Sequence, residues 1–173
     1  MFISYSSEDL KVAKAVVKCL ETNNISCWIA YRDAEVGIEF ASSIIDAIKR
    51  CRVALCIVSK NFNASKHCLR EVDAACKYEK MVVPFRIDEC RLNNALEYYL
   101  STTHWLNAWT PPVDSHFKDM VVAVNKHLGR AEKPAKTIDK QIKKEIKQQK
   151  KEIKKQKKEI DKLKKSKLVI KKR

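Results

Sequence analysis

Short apolar runs alternate with amphipathic stretches along the first 128 residues of the chain. Apolar side chains recur at helical spacing over residues 9–21, 41–50, 68–78 and 115–128, which predicts four helices. Runs of strand length lie near residues 2–5, 26–30, 52–58, 81–87 and 104–106. The run over residues 52–58 is apolar at almost every position, as expected for a central parallel strand that is covered on both faces.

This alternation of strands and helices with short links is typical of an open parallel sheet with helices on both faces. For a chain of this length the simplest such arrangement is the flavodoxin-like α/β fold, with strand order 2-1-3-4-5. Pro84 removes one hydrogen-bond donor from the fourth strand, which must tolerate the loss locally. The only glycines are Gly37 and Gly129, which excludes a glycine-rich dinucleotide loop and a P-loop.

The sequence changes character after residue 128. Gly129 and Pro134 bracket a linker over residues 129–137, and residues 138–173 are mostly Lys, Glu, Gln and Ile. A Lys-Glu-Ile triplet recurs there every seven residues, so that Ile146, Ile153 and Ile160 share one heptad position. We therefore predict a globular domain over residues 1–128 and a lysine-rich helical or coiled-coil-like tail over residues 138–173.

The charge is concentrated in the tail. Residues 131–173 carry 19 Lys and Arg against 6 Asp and Glu, a net charge of +13, whereas residues 1–130 carry 17 basic and 15 acidic residues. Three roles are open for the tail: it binds an anionic surface such as nucleic acid or a membrane, it pairs with another helix, or it is a solvated helix. Against pairing, Gln149 and Gln156 interrupt the apolar seam and the like charges repel.

The seven cysteines are scattered among apolar neighbours, and none forms a CxxC pair, so neither a zinc ribbon nor a thioredoxin-type site is supported. We expect them to be reduced. The chain shows no signal peptide pattern, and no apolar run reaches the roughly 18 residues that a membrane span needs. These features predict a soluble, cytoplasmic protein.

Polar side chains follow the predicted strands, where ligands of parallel α/β sheets bind. Ser6 and Ser7 follow the first strand, Arg32 and Asp33 the second, and Ser59 the third. Taken singly, Ser6 and Ser7, like Ser65 further along the chain, are better explained as helix caps than as ligands. Their convergence on one edge of the sheet is what favours a binding site.

Several segments, in order and spacing, resemble the TIR (Toll/interleukin-1 receptor) family over residues 1–128. The opening FISYSSED resembles the family's first box, and the stretch that begins YRDAEVGIEF resembles the second box of bacterial members, with Arg32, Asp33 and Gly37 in place. SKHCLREVDAA resembles a serine followed by Trp-Cys-x-x-Glu, with Cys68 and Glu71 in place. VVPFRID and YYLSTTHWLNAW resemble the fourth strand and the region around the last one.

The resemblance to NAD-cleaving members implies that Glu71 is catalytic. Loss of nicotinamide from NAD leaves an oxocarbenium-like ribose, which a nearby carboxylate stabilises. NAD is then the substrate, with no prosthetic group, and no metal is needed because the pyridinium is already a cationic leaving group. By position alone, a solvated glutamate near the start of a helix is the better explanation of Glu71.

The same resemblance implies the substrate-binding residues, and His67 and Cys68 are among them. The floor of the pocket would be lined by Phe2, Tyr5 and Ser6, and its mouth by Arg32 and Asp33. Arg32 would donate to the pyrophosphate, although a salt bridge to Asp33 or Glu35 competes with that role. Ser4 is interpreted as structural.

One position departs from the family pattern, because His67 stands where the family has tryptophan. An imidazole stacks with less area than an indole, which predicts weaker substrate binding. The alternatives are that the domain is inactive or that His67 has no role. Cys68 follows His67 directly, but adjacency in sequence does not make a catalytic pair. Trp28 and Trp105 lie in apolar strand settings and are expected in the core.

The resemblance therefore implies an NAD glycohydrolase that releases nicotinamide and ADP-ribose, or a cyclic isomer of ADP-ribose, in immune or antiviral defence. TIR domains also act as non-enzymatic adaptors that self-associate through the long loop, here residues 32–40, and through neighbouring helices. The two interpretations are compatible, because family enzymes commonly assemble to complete the site. A pure adaptor would oligomerise and leave NAD intact.

Overall fold

The structure is a computed structural model that describes residues 1–34 and 40–130. The chain divides into two units, Met1–Ala131 and Glu132–Arg173, and every element named below belongs to the first. The predicted tail, most of the predicted linker, and Gly37 in the long loop lie outside the described residues.

Five strands form one parallel sheet in the order β2-β1-β3-β4-β5, which confirms the predicted flavodoxin-like fold. They are β1 (Phe2–Ser4), β2 (Trp28–Ile29), β3 (Val53–Val58), β4 (Met81–Arg86) and β5 (Leu106–Asn107). All six residues of β3 are buried, as its continuous apolar sequence predicts.

Helices cover both faces of the sheet. They are α1 (Leu10–Thr22), α2 (Ala30–Asp33), α3 (Phe40–Arg50), α4 (Lys60–Ala64), α5 (Lys66–Lys77), α6 (Asn94–Leu100) and α7 (Phe117–His127). The core on one face draws its helical residues mainly from α3, α5 and α6, and the core on the other from α1 and α7. The sequence does not predict helices α2, α4 and α6, because four to seven residues are too few to show a helical period.

The second strand is shorter than predicted. Pairing with β1 ends at Ile29, and the chain turns at once into α2. The Asp33 carboxylate accepts a hydrogen bond of 2.8 Å from the Ile29 backbone N–H, which stabilises this turn at the carboxyl end of the strand. Residues 30–33 therefore form a helical turn rather than an extension of the sheet.

Pro84 is accommodated because of the register of β4. The backbone N–H groups of Met81 and Ile87 donate hydrogen bonds towards β3. The backbone of odd-numbered residues in β4 therefore points towards β3, and the backbone of Pro84 points towards β5. The β4–β5 pairing begins only at Phe85, opposite Leu106. Pro84 therefore lacks an N–H group at a position where β4 is not yet paired with β5, and no hydrogen bond of the sheet is lost.

The remaining core predictions fit this arrangement. Trp28 and Trp105 are both half-buried and pack against the same core cluster, and all seven cysteines are unpaired. Within residues 1–34 and 40–130, no helix is both long enough and apolar enough to cross a membrane.

Candidate active site at the carboxyl edge of the sheet

Glu71 faces the end of β1 from helix α5. Ser65 caps this helix by accepting a hydrogen bond of 3.3 Å from the Cys68 N–H, which fixes where the helix begins. Ser4, the last residue of β1, is 1% exposed, and its hydroxyl donates to Glu71 Oε2 at 2.5 Å. The Glu71 carboxyl is therefore a half-buried, hydrogen-bonded group and not a solvated one.

Burial determines the acidity of Glu71. Desolvation raises the pKa of Glu71 from 4.5 to about 7, and the hydrogen bond from Ser4 opposes that rise, because burial disfavours the charged form and a donor favours it. Since the folded protein holds this proton more tightly than the unfolded chain, the group lowers stability as the pH rises from about 4.5 to about 7. Near neutral pH the carboxyl can therefore both hold and release a proton.

Cys68 precedes Glu71 by three residues on α5, and Tyr5 directly follows Ser4 but packs against the core cluster on the other face of the sheet. Partial burial is the largest cause that raises the pKa of Tyr5, with the backbone of Tyr31 opposing it and the charge of Glu71 adding to it. Burial raises the pKa of Cys68 to about 12, with the Ser65 hydroxyl opposing and Glu71 adding. Cys68 therefore remains a thiol at neutral pH and is poorly suited to act as a nucleophile. Ser4, Tyr5, Cys68 and Glu71 together are called the Glu71 site below.

Three other candidates lie around the Glu71 site in different settings. Phe2 is 1% exposed and stacks on Trp28 with ring centroids 5.3 Å apart, two residues before Ser4 in β1, so it supports the site from within the core. Ser6 is buried in the turn after β1, where its carbonyl accepts from the Asp9 N–H at 2.8 Å. His67 is exposed in the first turn of α5.

Arg32 and Asp33 lie at the end of β2 and pair with each other. The Arg32 guanidinium donates to the Asp33 carboxylate at 2.8 Å and to the Cys27 carbonyl at 2.8 Å, and it lies 2.9 Å from a Glu21 carboxylate oxygen. This is the ion pair that the sequence offered as the alternative role of Arg32. Glu21 is an additional partner that sequence reasoning missed, because it is 11 residues away on α1.

A second hydrogen-bond network holds the loops of this edge together. The buried Asp9 carboxylate accepts from the Ser59 hydroxyl at 2.5 Å and from the Asn61 amide at 3.0 Å. These contacts join the turn after β1 to the start of α4 after β3. No group of three or more His, Cys, Asp or Glu among the described residues is placed to hold a metal ion.

Ser4 is the site residue whose role the sequence interpretation missed. Within β1, side chains alternate between the two faces, so Ser4 shares the face of Phe2, on which α5 packs. A polar residue in an otherwise buried strand was the available signal, because a buried hydroxyl requires a partner. That partner is 67 residues away in the chain, and periodicity cannot identify it.

The family model described as "TIR domain" matches residues 1–121. No curated protein matches the chain. The TIR domain of the Toll-related receptor TRR-2 from Hydra magnipapillata is 22% identical, with a TM-score of 0.61 over 72% of this chain and 96% of that one.

Two further solved structures share the fold. The TIR domains of the activated Roq1 resistosome, which recognises the pathogen effector XopQ, are 19% identical, with a TM-score of 0.62 over 71% of this chain and 97% of that one. The CMP N-glycosidase BcmB of Clostridium botulinum is 11% identical, with a TM-score of 0.52 over 69% of this chain and 98% of that one.

Replacing Ser4 by alanine is expected to raise the pKa of Glu71 above about 7, because the carboxylate loses the donor that favours its charged form. Titration of the Glu71 side-chain carboxyl by carbon-detected NMR measures the change. Ser7→Ala is the matched control, because Ser7 is exposed and should leave the titration unchanged. An unchanged or lowered pKa in Ser4→Ala would show that the hydroxyl does not stabilise the carboxylate.

Proposed function

Because the chain belongs to the TIR domain family, we propose that it is an NAD nucleosidase, which cleaves the bond between nicotinamide and ribose and releases ADP-ribose or a cyclic isomer of it. The observation that carries the proposal is the half-buried Glu71 carboxyl, hydrogen-bonded to Ser4 at the carboxyl end of β1. NAD is the substrate in this proposal, and no prosthetic group is required.

The proposed reaction breaks the bond between ribose C1′ and the pyridinium nitrogen, and the bonding electron pair leaves with nicotinamide. Positive charge then develops on the ribose, and the Glu71 carboxylate stabilises it. Partial burial strengthens this attraction, because less water screens it. Water adds to C1′ and transfers a proton to Glu71, whose pKa of about 7 suits a general base near neutral pH.

The comparisons support this class of reaction. BcmB, which has the same fold, is an N-glycosidase and therefore acts on the same type of bond, although 11% identity establishes only the common fold. Roq1 and the Hydra receptor carry their TIR domains in a complex that recognises a pathogen effector and in a Toll-related receptor. We therefore propose that NAD cleavage by this chain serves immune or antiviral defence signalling.

Self-association is the second candidate function; the order of charges at two heptad positions of the tail favours it, whereas Gln149, Gln156 and the net positive charge of the tail oppose it. If Ile146, Ile153 and Ile160 occupy heptad position a, the flanking g positions are all glutamate and the e positions are all lysine: Glu145, Glu152 and Glu159, and Lys150, Lys157 and Lys164. In a parallel, in-register pair, each g glutamate lies near an e lysine of the partner, and such contacts set the orientation of coiled coils. We propose that two tails pair in this way and bring two TIR domains together.

Glu71→Gln is expected to lower nicotinamide release from NAD by at least about a hundredfold, because the neutral amide can neither stabilise the ribose cation nor accept the proton. Chromatography of products after incubation with NAD at high protein concentration measures the loss. Glu97→Gln is the matched control, since Glu97 is exposed on α6 and should retain full turnover. Unchanged turnover in Glu71→Gln, or assembled wild-type protein that leaves NAD intact, would favour the adaptor function.

The pH dependence provides a separate test of Glu71. We expect kcat/KM for NAD to fall as the pH decreases through about 7, with the slope of a single proton, because only the carboxylate is active. In Ser4→Ala, kcat/KM for NAD should fall at a higher pH than in the wild-type protein. A profile that stays flat between about pH 5.5 and 8.5 would assign no titrating role to this carboxyl.

Charge exchange in the tail tests the proposed pairing. Changing the three g glutamates to lysine, or the three e lysines to glutamate, should abolish self-association of either variant, because every g–e contact becomes repulsive. An equimolar mixture of the two variants should restore a dimer, as measured by sedimentation velocity at low salt. Dimers of either variant alone, or no dimer in the mixture, would contradict parallel pairing.

A further inference from the structure

Tyr31 lies at the rim of the Glu71 site, where β1 and β2 leave the sheet. The two strands pair in parallel with Ile3 opposite Ile29, so Tyr5 and Tyr31 each follow this pair by two residues. Burial is the largest cause that raises the pKa of Tyr5; the backbone of Tyr31 lowers that pKa, and the charge of Glu71 raises it further. The Tyr31 side chain is 47% exposed, which leaves ring surface available to a ligand.

Lys14 approaches the same ring from α1. Its Nζ lies 4.8 Å from the centroid of Tyr31, within the range of a cation–π contact. Among the ion pairs of residues 1–34 and 40–130, none includes Lys14. An exposed aromatic ring beside an ammonium group is suited to a nucleotide, whose base stacks on the ring and whose phosphates attract the cation.

Charge determines which half of NAD fits here. The nicotinamide ring of NAD is a cation and is repelled by Lys14, whereas adenine is neutral and the adjoining pyrophosphate is anionic. Arg32 is a second cation near the end of β2, but its guanidinium already contacts the Glu21 and Asp33 carboxylates and the Cys27 carbonyl. Lys14 is therefore better placed than Arg32 to attract phosphate.

We propose that Tyr31 and Lys14 bind the adenosine diphosphate half of the substrate, with adenine stacked on Tyr31 and the pyrophosphate held by Lys14. This inference rests on the proposed cleavage of NAD and extends it, because it assigns the adenosine diphosphate half of the substrate to residues other than Glu71. Tyr31 and Lys14 are binding residues in this arrangement, and neither takes part in breaking the bond.

Equilibrium binding of ADP and of adenosine to the full chain tests the site without requiring turnover. Tyr31→Ala should weaken both ligands by about tenfold, since both stack, whereas Tyr31→Phe should bind them as wild type does. Lys14→Ala should weaken ADP by about threefold or more and leave adenosine unchanged, because only ADP carries phosphate. Tyr98→Ala and Lys18→Ala are the matched controls, since both residues are exposed on α6 and one turn further along α1.

A kinetic comparison provides the second measurement. In Tyr31→Ala the KM for NAD should rise while kcat is retained, and the KM for nicotinamide mononucleotide, which has no adenosine, should not change. Wild-type protein that fails to bind ADP, or Tyr31→Ala that binds it normally, would overturn the assignment. If ADP binding depends on Tyr31 and Lys14 but NAD is not cleaved, the nucleotide site stands and the proposed enzyme activity fails.

Discussion

The hydrogen bond from Ser4 to Glu71 joins the end of β1 to helix α5, and the chemistry of the site depends on it. A carboxyl group removed from water is costly unless a donor compensates it. Here one hydroxyl offsets part of that cost, and the result is a carboxyl with a pKa of about 7. Full exposure would leave Glu71 an ordinary surface glutamate, and stronger hydrogen bonding would leave it permanently ionised. The partial compensation is what suits it to proton transfer near neutral pH.

The parallel sheet makes this contact possible. Because all five strands run in the same direction, the loops that follow β1, β2 and β3 meet at one edge. Hydroxyl groups then fix the helices that start there: Ser59 caps α4 and Ser65 caps α5. Asp9 ties the first of these loops to the third. The two capping serines and Asp9 therefore hold the rim of the site in place.

The uneven distribution of charge along the chain matches the division of the proposed functions between the domain and the tail. The domain over residues 1–130 is nearly neutral, and residues 131–173 carry the excess of lysine. Catalysis and nucleotide binding are assigned to the domain, where burial tunes individual groups. Pairing is assigned to the tail, where repeated opposite charges act together. Because the two proposals rest on different segments, substitutions in the tail leave the residues of the Glu71 site unchanged.

The sequence alone determined the parallel sheet, because the continuous apolar run of β3 and the regular alternation around it are local properties. The strand order followed as the simplest arrangement for a chain of this length. Resemblance over several segments also singled out Glu71. The environment of Glu71 required the tertiary structure, since Ser4 is 67 residues away, and the partner Glu21 of Arg32 lies on another helix. Lys14 and Tyr31 likewise belong to different elements. Sequence patterns predict which face of a strand or helix a side chain occupies. Only the tertiary structure shows which side chains from distant parts of the chain are in contact there, and those contacts determine the pKa and the ion pairs of the site.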